Sequence, residues 1–184
     1  MIETLAKLKL GPPQLLRPNL ALRTIKEKDI SPAYIKWMND SDIVKYTEQR
    51  FAQTTAQDIK IYIDQMADSR HDLFYGIFDH DAHIGTIKLG AINPSHKTAD
   101  LSYIIGSKAH WGQGIASLAI STMVQIGFSR LGLMKICAGV YADNKASSRV
   151  LEKNGFEIEG IKKSQYLQDN QRVDVVLYGR VSNS

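Results

Sequence analysis

The sequence predicts a single domain of the α+β class, with seven strands and four helices in mixed order along the chain. Of its 184 residues, 43% are hydrophobic and 23% are charged, which is the balance of a globular domain with one substantial core. Short runs rich in β-branched and aromatic residues are interspersed with segments whose apolar residues recur at helical spacing. We therefore expect no second domain.

The chain is predicted to begin with an N-terminal arm at residues 1–19, followed by the globular domain at residues 20–184. Gly11 and three prolines interrupt a weakly amphipathic stretch in the arm. The arm lacks the uninterrupted apolar core of a signal peptide, and the chain has no run of about 18 apolar residues that could span a bilayer. We therefore expect a cytoplasmic protein that does not contact a membrane.

The first half of the domain is predicted to contain a strand and two helices. Residues 20–26 form the strand, and the helix-start signals after it predict a helix that ends near Asn39. A second helix is predicted to begin after Thr54 or Thr55, either of which can act as N-cap. Apolar residues at helical spacing follow this cap, so the helix is expected to pack one face on the sheet.

A β-hairpin is predicted next, with strands at residues 74–78 and 84–89 joined by the polar turn at 79–81. A turn at 93–95 leads to a further strand at 101–106, which is a short apolar run rich in β-branched and aromatic residues. This strand directly precedes the most informative segment of the chain.

That segment is Trp-Gly-Gln-Gly-Ile-Ala at residues 111–116. Its glycines, Gly112 and Gly114, let the backbone turn sharply and approach a ligand without an intervening Cβ. From Ile115 to about Arg130 the apolar residues follow one helix face, so the glycines precede a helix N-terminus, which favours a bound phosphate. The segment matches neither the dinucleotide-binding motif nor the P-loop motif of nucleotide hydrolases. The segment predicts a pyrophosphate cradle, with a tight turn that binds nothing as the alternative.

The last part of the domain is predicted to hold a strand, a helix and two final strands. The strand at residues 134–141 is followed by Asn144, which is placed as the N-cap of a short helix. Gly155 is placed for a left-handed turn at the end of this helix. The two final strands, separated by a turn at 168–170, are residues 158–167 and 173–181.

Charge and metal-ligand content exclude several classes of function. The net charge of +4 is mild and its cations are dispersed, which favours a small anionic ligand and not nucleic acid. Cys137 is the only cysteine, so neither an intrachain disulfide nor a cysteine-ligated zinc site can form. The five histidines have no carboxylate pattern that defines a metal site. We expect no bound metal.

The paired motifs resemble the GNAT (general N-acetyltransferase) superfamily, which uses acetyl-CoA. Residues 111–116 are similar to its pyrophosphate motif, Arg/Gln-x-x-Gly-x-Gly/Ala, with a tryptophan as the first residue. The tryptophan-glycine form and the Asn144-x-x-Ser147 helix resemble the branch that contains the ribosomal-protein N-terminal acetyltransferases. The resemblance is strongest over residues 84–181 and weaker over residues 20–83.

The resemblance implies a GNAT-like domain whose mixed, mostly antiparallel seven-stranded sheet splays between strands 4 and 5, at residues 101–106 and 134–141. This splay would bring the thioester of acetyl-CoA to the middle of the sheet. A strand edge, the cradle and the second helix are implied to bind this cosubstrate. The residues concerned are Ile104, Ile105, Gly106, Trp111, Gly112, Gln113, Gly114, Ile115, Ala116, Ser117, Asn144 and Ser147.

The implied reaction is direct attack of a primary amine on the thioester, without an acyl-enzyme. Family members often use a tyrosine as proton donor, but the matching residue here is Leu151, so Ser147 is the candidate donor. Its alternative role is local capping of the helix. Asp100, Glu48 and Tyr166 compete as the general base, and Asp100 is chosen because it begins the strand nearest the cofactor. A solvated carboxylate at a strand end is the alternative for Asp100.

The acceptor is expected to be a protein N-terminus, an amino sugar or another small-molecule amine, and the sequence does not decide among them. Trp37, Tyr46, Glu48 and Arg50 lie where the resemblance implies the acceptor wall, although core packing is favoured for Trp37. The rival hypothesis is a non-catalytic CoA-binding or regulatory module. A homodimer through the edge of the strand at 173–181 is slightly preferred.

Overall fold

The computed structural model describes residues 1–182, and within them the fold is one eight-stranded sheet with six α-helices. The strands are β1 Gln14–Arg17, β2 Leu20–Arg23, β3 Leu73–Asp79, β4 Ala82–Asn93, β5 Thr98–Ile105, β6 Lys135–Tyr141, β7 Glu157–Gln168 and β8 Gln171–Val181. The helices are α1 Ile2–Leu10, α2 Pro32–Met38, α3 Ser41–Val44, α4 Ala56–Asp68, α5 Ile115–Gln125 and α6 Lys145–Lys153. The predicted α+β class is confirmed.

The sheet has the order β1-β2-β3-β4-β5-β6-β8-β7, and every neighbouring pair is antiparallel except β5 with β6. The parallel pair is short, since only residues 98–100 of β5 are in register with residues 135–137 of β6. Beyond this point the two strands separate. The predicted splay is therefore present, and it leaves one edge of β5 and one edge of β6 free to bind a ligand between them.

The predicted numbers of strands and helices were too low, because residues 1–19 contain two further elements. Helix α1 buries Leu5 and Leu8 in the main core, and β1 pairs with β2. Helix α3 is a single turn capped by Asp40, and it is the other helix that the periodicity missed. Segments this short show too few apolar repeats to identify from sequence.

The strand predicted as a free edge for dimerisation, β8, is an interior strand. It lies between β6 and β7, so the sheet ends at β1 and β7. Chain reversal at Asp169 and Asn170, both with positive φ, folds β7 and β8 into a hairpin with a two-residue turn. The edge prediction was wrong because strand order depends on tertiary pairing and not on local pattern.

Local capping explains where the site helices begin and end. The Oδ1 atom of Asn144 accepts a hydrogen bond from the amide of Ser147 and begins α6 as predicted. At its end Gly155 has φ 72°, and the amide of Phe156 donates to the carbonyl of Leu151 at 3.1 Å. This left-handed termination turns Phe156 back onto Leu151, and both side chains are buried.

The core is divided between the two faces of the sheet. One cluster packs α1 and α5 against the central strands, and a smaller cluster packs α2 and α4 against β3 and β5. Trp37 belongs to the smaller cluster, where its ring stacks on Tyr34 with centroids 4.5 Å apart. A Cβ at Gly106 would lie 2.0 Å from the Trp37 ring. The chain therefore needs glycine at the end of β5 so that α2 can pack closely.

Candidate active site

A cleft of about 670 Å³ opens where β5 and β6 separate. Helix α4 and the segment around Tyr46 cover it on one side, and α6 borders it on the other. Residues of the α6 motif and of the predicted acceptor wall line it, whereas residues 111–117 of the cradle lie outside this lining. The lining residues include Tyr46, Glu48, Tyr62, Lys88, Ser102, Tyr103, Tyr141, Asn144, Ser147 and Leu151.

The cradle has the geometry that an anion site requires. Gly112 and Gly114 have φ of 74° and 75°, a region that L-residues rarely adopt, and a Cβ at either would meet no atom within 4 Å. Within residues 1–182, no backbone or side-chain acceptor takes a hydrogen bond from the amides of residues 112–117. These amides lie at the N-terminus of α5, so they can bind a pyrophosphate.

Two of the residues predicted to contact acetyl-CoA have groups that already donate hydrogen bonds within the protein. The Gly106 amide donates to the carbonyl of Ile84 at 2.8 Å, so it faces β4 and not the splay. The Trp111 indole donates to the carbonyl of Ile105 at 2.8 Å. Backbone groups alternate in direction along a strand. The groups of β5 that face the splay are therefore the amide and carbonyl of Tyr103 and the amide of Ile105. The prediction for Gly106 is corrected on this point.

Ser147 lies at the splay and contacts a residue that the sequence did not identify. Its Oγ is 2.9 Å from the hydroxyl of Tyr103, and both side chains line the cleft. Burial raises the pKa of the Tyr103 phenol. The phenol is therefore neutral at physiological pH and can donate its proton to Ser147 Oγ, which leaves the serine O–H free to point into the cleft.

Glu48 and Arg50 are joined through Tyr141 on the acceptor side of the cleft. The Tyr141 hydroxyl donates to Glu48 Oε1 at 3.3 Å and accepts from Arg50 Nη1 at 2.8 Å. Arg50 Nη2 also donates to the carbonyl of Leu167 at 2.8 Å. Burial raises the pKa of the Tyr141 phenol. Arg50 therefore ties the Glu48 segment to the sheet, whereas Glu48 itself reaches the cleft.

The structure separates the three candidate bases. Asp100 is exposed and does not line the cleft, although it begins the strand nearest the splay. Tyr166 stacks on the outer side of Tyr141 with centroids 4.9 Å apart, and it does not line the cleft either. Glu48 is the one of the three that does. Trp37 is 5% exposed, so its side chain packs in the core and is withdrawn from the acceptor wall.

The remaining predicted residues lie around the cradle. Gln113 donates to the carbonyl of Ala109, and the Ser117 hydroxyl accepts from Asn154 at 3.0 Å, which joins α5 to α6. Their amides stay available to a phosphate. Sequence reasoning missed Tyr103 and Tyr141, because tyrosine within an apolar strand has the same signal as a core residue.

Within residues 1–182, no helix is both long and apolar enough to cross a bilayer. Histidine, cysteine and acidic side chains of the same residues form no group of three or more that could hold a metal ion.

Comparison with known families identifies the fold. The family described as "Acetyltransferase (GNAT) domain" matches residues 19–157, which is most of the chain and includes the cradle. The chain belongs to the GNAT family. It is an N-acetyltransferase, and acetyl-CoA is its cosubstrate. The cleft at the splay is therefore its candidate active site.

Individual relatives agree with this assignment. An uncharacterized N-acetyltransferase of Bacillus subtilis, YoaA, is 32% identical over 173 residues, which are 92% of this chain and 97% of that protein. The ribosomal-protein-serine acetyltransferase of Escherichia coli is 35% identical over 109 residues, covering 59% of this chain and 60% of that one.

Solved GNAT structures share the fold at lower identity. RimL, a ribosomal L7/L12 alpha-N-protein acetyltransferase in complex with coenzyme A, has a TM-score of 0.81 at 21% identity and covers 92% of this chain and 98% of its own. A spermidine N-acetyltransferase from Vibrio cholerae, in complex with CoA and spermine, has a TM-score of 0.79 at 22% identity and covers 89% and 95%.

Proposed function

We propose that this N-acetyltransferase moves the acetyl group directly from acetyl-CoA to a primary amine in a ternary complex, without an acyl-enzyme. The observation that carries the proposal is the pairing of two groups on opposite sides of one cleft. Ser147 lies on the α6 side of the splay, and the Glu48 carboxylate enters from the acceptor side. A donor thioester and an acceptor amine can meet between them.

Acetyl-CoA would be held at two places. The amides of residues 112–117 bind its pyrophosphate at the positive end of α5, where the dipole favours an anion. The pantetheine amides pair with the free edge of β5 at Tyr103 and Ile105, in the manner of an added strand. The two anchors together fix the thioester at the level of Ser147, so the reaction gains from positioning.

Glu48 would prepare the nucleophile. A primary amine is mostly protonated at neutral pH, so it must lose a proton before it attacks the carbonyl carbon. The Glu48 carboxylate takes this proton directly or through one water, and the Tyr141 hydroxyl at 3.3 Å holds the carboxylate in place. This assignment replaces Asp100, whose side chain lies outside the cleft.

Ser147 would stabilise the negative charge that develops as the thiol group leaves. As the C–N bond forms and the C–S bond breaks, negative charge moves first to the carbonyl oxygen and then to sulfur. The Ser147 hydroxyl donates to this developing charge, and Tyr103 orients it by donating to Ser147 Oγ. The acceptor nitrogen gives up two protons: Glu48 takes the first before the attack, and the second, lost once the C–N bond has formed, passes to the departing sulfur, which leaves as the CoA thiol. Leu151, fully buried beside this point, supplies only packing.

A primary amine is the acceptor class that the similar proteins have in common. Their names specify ribosomal proteins and spermidine, which share an attacking amino group and little else. The acceptors that remain open are a protein N-terminus, an amino sugar and another small amine.

An acceptor screen tests the proposal. Purified protein is mixed with acetyl-CoA and candidate amines, free thiol release is followed, and mass spectrometry seeks the addition of one acetyl group. We expect stoichiometric thiol and acetylated product, both formed about 10- to 100-fold more slowly in Ser147→Ala. Tight CoA binding without turnover on a broad panel would favour a regulatory CoA-binding module instead.

A further inference from the structure

Two side chains of opposite charge that line the active-site cleft, Glu48 and Lys88, are held at different strands. Glu48 is hydrogen-bonded to Tyr141 on β6, whereas Lys88 is on β4, so strand β5 lies between their positions in the sheet. Asp58 is in the first turn of α4, whereas Tyr62 and Gln65 follow on later turns and line the cleft beside Lys88. Four residues of α-helix, about 6 Å along the axis, separate Asp58 from Tyr62, which is the hydrogen-bond partner of Lys88.

Lys88 is a half-buried ammonium group that forms no ion pair among the described residues, although the Asp72 carboxylate is a neighbour of its side chain at Gly90. That carboxylate accepts from the Ser69 hydroxyl. The Lys88 Nζ donates to the Tyr62 hydroxyl at 3.1 Å, and this neutral phenol is its hydrogen-bond partner. Among the described residues 1–182, no carboxylate oxygen lies within 4.0 Å of Nζ. A partly desolvated cation with a neutral partner retains strong attraction for an anion.

Other donors lie around the Lys88 ammonium. Ser102 is the register partner of Lys88 on β5, so both side chains are on the same face of the sheet and both line the cleft. Gln65 lines the same cleft from α4. A hydroxyl, a phenol, an amide and an ammonium group are the donors that a carboxylate or a phosphate accepts from.

The acidic side chains of the cleft are organised differently. Asp58 Oδ2 accepts from the Thr55 amide at 2.8 Å and from the Thr55 hydroxyl at 2.6 Å, so this carboxylate caps α4. Glu48 accepts from Tyr141 and faces the splay. An acceptor ammonium group is therefore drawn to Glu48, where the thioester lies under the proposed function.

We infer that the acceptor carries an anionic group, a carboxylate or a phosphate, and that Lys88 binds this group while the amine lies at Glu48. The inference rests on the proposed direct transfer to a primary amine. Such an acceptor matches the separated charges of the cleft, whereas a polyamine would place a second cation against Lys88. Lys88 is thus a specificity-determining residue that contacts the acceptor and takes no part in proton transfer.

Matched acceptors of one chain length test this inference through thiol release. Aminohexanoate and aminohexyl phosphate carry the anion, aminohexanamide is neutral, and diaminohexane is a dication. For the wild-type protein we expect kcat/KM with the better anionic acceptor to exceed that with the amide about 10- to 100-fold, as for a charge-assisted hydrogen bond. Comparison of kcat/KM for aminohexanoate and for aminohexyl phosphate shows which anion is preferred.

Variants of Lys88 separate charge from packing. Lys88→Gln is expected to reduce the anion-to-amide ratio of kcat/KM to near one, mainly by lowering kcat/KM for the anionic acceptors. Lys88→Arg should retain the preference, and Lys88→Glu should shift it toward diaminohexane. Lys28→Gln, an exposed lysine outside the cleft, is the matched control and should leave the ratio unchanged. An unchanged ratio in Lys88→Gln, or a wild-type preference for diaminohexane, would overturn the inference.

A binding measurement distinguishes this inference from the proposed function. If no acceptor releases thiol, direct transfer fails, and calorimetry with CoA present then compares N-acetyl-aminohexanoate with its amide. The inference predicts tighter binding of the anion by wild-type protein and equal binding by Lys88→Gln. Equal affinities for both compounds in the wild type would reject it.

Discussion

The Tyr103 hydroxyl lies 2.9 Å from Ser147 Oγ across the point where β5 and β6 separate. Two elements far apart in sequence therefore place hydroxyl groups where the thioester of acetyl-CoA is expected. The direction of this hydrogen bond matters, because a serine that accepts from tyrosine keeps its own proton for the departing sulfur.

Ser147→Ala is expected to lower kcat about 10- to 100-fold with little change in KM for acetyl-CoA, because the hydroxyl acts mainly in the transition state. Tyr103→Phe should lower kcat about 3- to 10-fold, since it orients the serine without contacting sulfur. Steady-state kinetics of both variants and of the double variant measure the coupling between Ser147 and Tyr103 in kcat. In the Ser147→Ala background Tyr103→Phe should have no further effect, and additive losses would show that Tyr103 acts independently.

Glu48→Gln is expected to lower kcat about 100-fold at neutral pH, because the amine then lacks its base. Asp100→Asn is the matched control on a carboxylate outside the cleft and should stay within about twofold of wild type. Initial rates at saturating acetyl-CoA and acceptor measure both. The opposite ranking of the two variants would restore Asp100 as the base.

Gly112→Ala and Gly114→Ala are expected to weaken CoA binding about 10-fold and to lower stability by about 1 kcal/mol, because alanine is strained at positive φ. Isothermal calorimetry with CoA and a thermal melt measure the two effects. Gly160→Ala is the control, since a Cβ there also meets open space but its φ is not positive. Wild-type CoA affinity in both cradle variants would argue against a backbone cradle.

His83 is expected to make the protein less stable in mild acid. Its ring is buried against Tyr34, Trp37 and Phe78, and burial lowers the pKa of the imidazole from 6.5 to about 4. The unfolded chain binds this proton below about pH 6.5 and the folded chain only below about pH 4. The free energy of unfolding therefore falls as the pH drops through this window, by about 3 kcal/mol in all.

Urea unfolding at several pH values checks the His83 effect. His83→Gln should flatten the profile between about pH 6.5 and pH 4, since position 83 then carries no group that titrates there. Carboxyl groups with lowered pKa, such as Asp29, lose their contribution only at lower pH. An unchanged slope in the variant would assign the acid sensitivity to other groups.

Gly106→Ala is expected to destabilise the fold by about 3 kcal/mol or more, because the new Cβ would overlap the Trp37 ring. Adding Trp37→Leu should recover part of the loss by making room. Thermal melts of the single and double variants measure this compensation. Trp37→Phe alone should lower the melting temperature but leave the acceptor KM within about twofold, whereas a large rise in KM would return Trp37 to the acceptor wall.

Local features of this chain were predicted well because their causes are local. Gly112 and Gly114 have the positive φ that the glycine spacing indicated, and Asn144 caps α6 as its position suggested. Gly155 terminates the same helix in the left-handed region. Each depends on backbone sterics or on a hydrogen bond between residues a few positions apart, so sequence spacing is enough to identify it.

Site residues whose positions depend on contacts between distant segments could not be identified correctly from the sequence. Asp100 was preferred as the base because it begins β5, yet it lies where β5 is still paired with β6, before the splay, and it does not line the cleft. Glu48 enters the site only because Arg50 and Tyr141 hold its segment against β6. Strand order likewise placed β8 inside the sheet, where sequence suggested an edge.

The sequence by itself determined that the chain has an α+β fold, a glycine turn before α5 and the Asn-capped helix α6, since these follow from periodicity, backbone sterics and short-range hydrogen bonds. The tertiary structure alone decided that Tyr103 faces Ser147 and that Glu48, held at β6, and Lys88, on β4, line one cleft. Their separation in sequence carries no information on distance in space, which is set by how strands pair and where β5 parts from β6.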